Sequence, residues 1–330
     1  MHESPSYRER ETYAPIFILS HAHAYSSISI AILGSHPQMY WFPELRLFNA
    51  HSLGEALDTF GGPRDTYGEA LDPGGELQDV PIGETERLRM SGAVRSVAQV
   101  IFGSQSEEMV DKAWSWVREH REMSTAEFFD RLLEKVAPRI GIEKSPDTSA
   151  SEAHLMLCNE SYPRARFVHL VRHPVTATES LQQKMKEAFA AANVGSRSSA
   201  ELYRRSSRIW FSVNQRIVRF CEGIDSSRVL RLRAEDLLNS PIDSARLFCE
   251  WAGLDTSDES IAKMMHPEES PFAKPGPAHA PGGEHDHFLQ SPSIHSVPHP
   301  EPVRLPWHWE LNANERHGIV ELAQELGYEV

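Results

Sequence analysis

The stretch from Ala14 to Phe48, APIFILSHAHAYSSISIAILGSHPQMYWFPELRLF, limits the fold more than any other part of the chain. It opens with Ile16-Phe17-Ile18-Leu19, an apolar run short and bounded enough to be a buried strand. A polar elbow follows, from Ser20 to Ser27. Ile28 to Leu33 is then apolar enough for a packed helix, closed by Gly34 and Pro37. Strand, tight loop and helix in this order set backbone N–H groups and a helix N-terminus against a bound anion such as a phosphate.

The rest of the chain repeats that alternation. Ile140 to Glu143 reads as a short strand ending in the polar turn Lys144-Ser145-Pro146, with helix following to about Asn159. Arg166 to Arg172 is a second buried strand, and Pro174 opens the next helix in the first turn, where proline is tolerated. That helix runs through Ser180 to about Ala191. Helices are also expected over Tyr203–Phe220, Asp243–Ala252 and Glu315–Leu326, and a strand over Arg228–Arg233. Residues 94–120 and 124–136 carry helical spacing, the second opened by Ser124 with Glu127 three residues on. Strands alternating with helices imply an α/β fold with a parallel sheet covered on both faces. Residues 1–13 read as a polar tail and 14–330 as one domain. Two irregular segments interrupt it: an insertion at 50–93 with one short helix, and a Pro/His-rich segment at 266–306.

Composition excludes several classes of function. The chain has 330 residues, with 47 Asp+Glu against 33 Lys+Arg and a net charge of -14. Such an acidic balance argues against a nucleic-acid or anionic-membrane binder. No run of 18 apolar residues exists to span a membrane, and the polar N-terminus lacks an apolar signal core. Cys158, Cys221 and Cys249 have no metal-ligand spacing and read as reduced thiols in a cytoplasmic protein. His285-Asp286-His287 could present two imidazoles, but without helical ligand spacing no metal is assigned.

Six motifs resemble the sulfotransferase family, whose members use 3′-phosphoadenosine 5′-phosphosulfate (PAPS). The family reads strand, G-x-P-R-S-G-T-T-L, helix, then H-P and an acidic residue. Laid on without gaps, Ser20, Ala22, His23, Ala24, Tyr25, Ser26 and Ser27 fall on G, P, R, S, G, T and T; His36-Pro37 falls on H-P and Glu44 on the acidic residue. FVHLVRHPVTATES resembles the 3′-phosphate motif, with Arg172 and Ser180 on its arginine and serine. Glu143-Lys144-Ser145-Pro146 is similar to the turn whose lysine reaches the bridging oxygen of the phosphosulfate. Trp210-x-x-x-Asn214, Arg233-Ala234-Glu235-Asp236-Leu237 and the terminal Trp307 to Leu326-Gly327-Tyr328 complete the likeness.

The resemblance implies a sulfotransferase-like, P-loop NTPase-like fold: a central parallel sheet flanked by helices. It implies a bacterial enzyme moving a sulfuryl group from PAPS to a hydroxyl or amine of a small-molecule acceptor, without a metal. Glu44 would be the base. Lys144, His23, Ser26 and Ser27 would face the phosphosulfate, Arg172 and Ser180 the 3′-phosphate, and Lys274 and Arg304 would reach it from the 266–306 segment acting as a lid. A homodimer is left open. The loop departs from the pattern, however. Both glycines are gone, the arginine has become His23, and Tyr25 would fill volume that the sulfuryl group normally takes. The alternative expectation is therefore a sulfotransferase-fold protein that has lost PAPS-dependent transfer, catalysing other chemistry or serving as a binding partner.

Overall fold

The computed structural model describes residues 13–60, 90–191 and 198–330. Five parallel strands form one sheet in the order β2-β3-β1-β4-β5, with β1 at Ile16–Leu19, β2 at Met39–Phe42, β3 at Ile140–Glu143, β4 at Arg166–Val171 and β5 at Val229–Arg233. The central parallel sheet flanked by helices is the expected fold class.

β1 is the middle strand, and all four of its residues are buried. Alternation sends its side chains to opposite faces. Phe17 and Leu19 join one apolar cluster, with Phe42, Phe129, Tyr162 and Phe167. Ile16 and Ile18 join the other, with Ile30, Trp41, Val168, Leu237 and Phe248. A strand buried on both faces has no polar side to show, which is why IFIL is continuous rather than alternating. A third cluster packs Trp210 of the Ser199–Glu222 helix against Trp309, Ile319 and Tyr328 near the C-terminus.

The edge strand β2 was not anticipated. Met39-Tyr40-Trp41-Phe42 pairs residue for residue with Ile140–Glu143, and the pairing extends the sheet beyond β3. The helix expected over 94–120 is two helices, Ser91–Val100 and Glu107–Glu119. Gly103 takes a left-handed φ of 86° between them, and the Ser106 hydroxyl caps the second by accepting the Met109 N–H at 3.4 Å.

The described parts of the two irregular segments pack against the rest of the fold. In the 50–93 stretch, Leu53–Phe60 is helical and Ser91 already begins the next helix, while 61–89 lie outside the described residues. The polar tail to residue 12 and the 192–197 linker lie outside them as well. The Pro/His-rich 266–306 segment holds little regular structure, yet Phe272, Ala273, Ala280 and Leu289 are buried in the core. Arg95, itself 1% exposed, pins it by donating to Gln105 Oε1 at 2.6 Å and to the carbonyls of Gly282 at 2.8 Å and Lys274 at 2.7 Å. Two segment carbonyls held by one buried guanidinium, which Gln105 anchors from outside the segment, stand in for the secondary structure that this segment lacks.

Arg95→Ala should strip those acceptors of their donor, at about 1–3 kcal/mol for each one left buried and unpaired. We expect a lower Tm and faster limited proteolysis between 272 and 285. Cleavage at the wild-type rate would show that other contacts hold the segment.

Candidate active site

The carboxyl ends of the strands open into a cleft of about 540 Å³. One wall is the β1 loop and the start of the Ser26–Gly34 helix, with Glu44, Arg46, Arg172 and Ser180. The other is the segment from Glu284 to Val297. Ligand crevices of open parallel sheets lie at this end.

The loop keeps an anion-loop shape without the glycines. His23 and Tyr25 both take left-handed conformations, at φ 65° and 58°. Each such non-glycine residue costs on the order of 1–3 kcal/mol. The following helix begins without a side-chain cap, so its first turn, Ser26 and Ser27, faces the cleft with donors unclaimed by a capping residue.

The Tyr25 ring packs against Arg172. It lies 3.9 Å beneath the Arg172 guanidinium, which also donates to the His23 carbonyl at 2.7 Å and the Thr176 hydroxyl at 3.2 Å. His23 Nδ1 is 3.2 Å from the Ser180 hydroxyl. Arg172 and Ser180 are thus brought together, as expected for a shared phosphate, but both are engaged by the loop. Burial, helped by the charges of His285 and Arg172, pushes the His23 imidazole down to about 3. His23 is neutral at ordinary pH and does not replace the family's arginine in charge.

Positive charge comes instead from Lys144, which is fully buried below the loop. Its Nζ lies 2.7 Å from Glu44 Oε1, 2.8 Å from Glu284 Oε2 and 3.4 Å from Ser27 Oγ. Burial alone would lower its pKa, but the two carboxylates raise it. Glu44 is held from its other side as well, Oε2 accepting from Arg46 at 2.8 Å, and Arg46 reaches on to Asp147 at 3.2 Å. Burial works against ionisation of Glu44, yet Lys144 and Arg46 together bring its pKa down to about 2.

Backbone packing fixes this elbow. The Glu44 N–H donates to the Gly283 carbonyl at 2.8 Å, and a Cβ on Gly92 would come within 2.0 Å of the Glu44 carbonyl. Arg46 takes a left-handed φ of 53°. The Leu45 N–H donates to Glu143 Oε1 at 3.1 Å, the Arg46 N–H to the Ser145 hydroxyl at 2.9 Å, and that hydroxyl to Glu143. Burial pushes the Glu143 carboxyl up to about 8.

The lid residues need correction. Lys274 and Arg304 are exposed and neither lines the cleft. Lys274 contributes its backbone carbonyl to Arg95, and Arg304 follows Val303, whose N–H is bonded to the Glu329 carbonyl. The segment brings Glu284 and His285 to the cleft instead, with the His285 N–H donating to Ser27 Oγ at 3.3 Å. Sequence reasoning missed Glu284, Arg46, Asp147 and Arg95. Arg46 carried a usable signal, a cation two residues past the candidate base. Glu284 carried none, because its partner is 140 residues away. No group of three metal-ligating side chains occurs among the described residues.

A loop and helix start shaped for an anion, a buried lysine beneath them and carboxylates beside it make this cleft the candidate active site. The match to known proteins agrees. Residues 15–258 match the sulfotransferase family, and the chain belongs to it; it is an enzyme, a transferase. Two solved structures share the fold. The sulfotransferase domain from the curacin biosynthetic pathway is 18% identical, with TM-score 0.66 over 96% of this chain and 99% of that one. The sulfotransferase domain of the Synechococcus PCC 7002 olefin synthase is 20% identical, with TM-score 0.66 over 100% and 99%. No curated protein matches in sequence.

Glu143 gives this site a pH signature. Its folded pKa of about 8 lies above the ordinary value of 4.5, so between these the folded state binds the proton and the unfolded state does not. This contribution to stability is present below pH 4.5 and is lost as pH rises towards 8, with a slope of at most about 1.4 kcal/mol per pH unit. Glu143→Gln should remove it. Denaturant unfolding of both proteins from pH 5 to 8 checks this; parallel curves would show that Glu143 titrates normally.

Proposed function

We propose that the protein transfers a sulfuryl group from PAPS to a hydroxyl or amine of a small-molecule acceptor by in-line displacement. The observation that carries this is Lys144, held without solvent exposure at the start of the anion-facing helix and flanked by two carboxylates. Charge builds on the bridging oxygen as the sulfur–oxygen bond to the phosphate breaks. A preorganised ammonium in a dry site offsets that charge at little cost in reorganisation. Ser26 and Ser27 would hold the phosphosulfate, and Arg172 with Ser180 the 3′-phosphate. Glu44 would orient Lys144. Both solved neighbours are named as domains of biosynthetic systems, which supports an acceptor that is itself a biosynthetic intermediate.

One observation favours a second reading. Arg172 and Ser180 are engaged by Tyr25 and His23, and His23 carries no charge. A site rebuilt for a different phosphorylated ligand would look the same. Calorimetry with adenosine 3′,5′-bisphosphate, the desulfated product, separates the two. For a PAPS enzyme we expect micromolar or tighter binding, weakened by roughly 1.5–3 kcal/mol in Arg172→Ala, the scale of a hydrogen bond to a charged group. No binding at millimolar concentrations would favour the second reading.

The loop supplies a further test. His23→Arg with Tyr25→Gly should strengthen PAPS binding, because the pair restores a charge, frees Arg172 and relieves one left-handed non-glycine residue. The two must be changed together, since neighbouring sites are not additive. A folded double mutant that binds PAPS no better would show a loop rebuilt for another ligand.

A further inference from the structure

Glu284 differs from Glu44 in one respect that bears on catalysis. Both oxygens of Glu44 are taken by cations, Oε1 by Lys144 and Oε2 by Arg46. Glu284 gives only Oε2 to Lys144, at 2.8 Å. Its Oε1 has no hydrogen-bond partner among the described residues, although the side chain is fully buried and the residue lines the cleft. A buried carboxylate oxygen left unpaired is costly, and in a residue that borders the cleft, beside the Ser27 hydroxyl, it is open to completion by a donor that arrives with a ligand.

Building on the sulfuryl-transfer reading, we propose that Glu284 is the general base of this enzyme: Oε1 accepts the hydrogen bond of the acceptor hydroxyl or amine and then takes its proton. Glu44 is the fixed counter-charge that positions Lys144 and Arg46. In the transfer, the acceptor O–H or N–H bond breaks and its proton passes to Glu284. The freed electron pair forms the new bond to sulfur. The sulfur–oxygen bond to the phosphate breaks, and its electron pair stays on the phosphate oxygen, compensated by Lys144.

The charges around Glu284 suit this division. It faces Lys144 from the β3 turn, Glu44 from the turn after β2 and Arg95 from the Ser91–Val100 helix, with His285 beside it in sequence. Burial and the Glu44 charge raise its pKa above the ordinary carboxylate value despite Lys144, whereas Glu44 is held at about 2. Two carboxylates whose environments push their proton affinities apart assign the roles: the raised one exchanges protons at working pH, the lowered one stays charged.

The test uses the whole protein, PAPS as donor and water as acceptor, with release of adenosine 3′,5′-bisphosphate followed against pH. Because the base must be deprotonated, the rate falls as pH drops through the pKa of Glu284, giving an acid limb above the ordinary carboxylate range. We expect Glu284→Gln to lower kcat by about 10²–10⁴-fold and abolish that limb, with bisphosphate affinity within a few-fold of wild type. Glu284→Asp, which keeps a carboxylate set back by one methylene, should retain a reduced rate with a displaced limb. Glu44→Gln should lose rate yet keep the limb. A Glu284→Gln protein with wild-type kcat and acid limb, or a limb that disappears only with Glu44→Gln, would overturn the assignment. In that case turnover by the wild type would leave the sulfuryl-transfer reading standing. Absence of bisphosphate binding to the wild type would overturn both.

Discussion

A lysine with no exposed surface governs the geometry of this cleft. Stripping an ammonium of water costs several kcal/mol, which only close, well-oriented anions can offset. Lys144 therefore draws in Glu44 from the turn after β2 and Glu284 from a segment 140 residues further along the chain. Neither glutamate is held by regular secondary structure. The 274–285 stretch has a defined course because Arg95 grips its carbonyls from one side and Lys144 its carboxylate from the other. Two buried cations fold what the local sequence leaves irregular.

The same network explains how the phosphate loop survives without glycine. A left-handed backbone is needed where the chain turns from β1 into the helix, and glycine adopts it at least cost. Here His23 and Tyr25 adopt it, each with its side chain spent on a stabilising contact, His23 with the Ser180 hydroxyl and Tyr25 beneath Arg172. The strain is offset by contacts to the very residues that would otherwise meet a 3′-phosphate. The residues that hold the left-handed turn are thus the ones that engage Arg172 and Ser180.

This arrangement also decides what could be read in the sequence. The sheet was legible because β1, β3 and β4 are apolar runs with turn signals at both ends, and because Pro174 marks a helix start. Met39–Phe42 was harder: MYWF is four residues long, and nothing local separates an edge strand from the end of a packed loop. Glu44, Lys144, Arg172 and Ser180 could be located because each sits at a fixed distance past a strand. Glu284 could not, since its place is set by partners distant in sequence and not by periodicity. Lys274 and Arg304 carry charge within the right segment, but charge alone does not tell which side of an irregular chain faces the cleft. The segment delivers an acid there.

That reversal of sign carries the last step. Lys144, Arg46 and Arg95 face Glu44, Glu284 and Asp147, so with every group ionised the cluster has no positive charge to spare for a phosphosulfate. Protonating Glu284 leaves one positive charge unopposed. Glu44 is bound by two cations, and Asp147 is buried against Arg46; Glu284 has a free oxygen and a raised proton affinity. An arriving anion raises that affinity further, since like charges in a poorly solvated cleft repel strongly. Donor binding and proton affinity at Glu284 are therefore linked. The donor's own charge tunes the base towards working pH, and when the charge moves to the departing bisphosphate beside Lys144, Glu284 is the group placed to have taken the acceptor's proton.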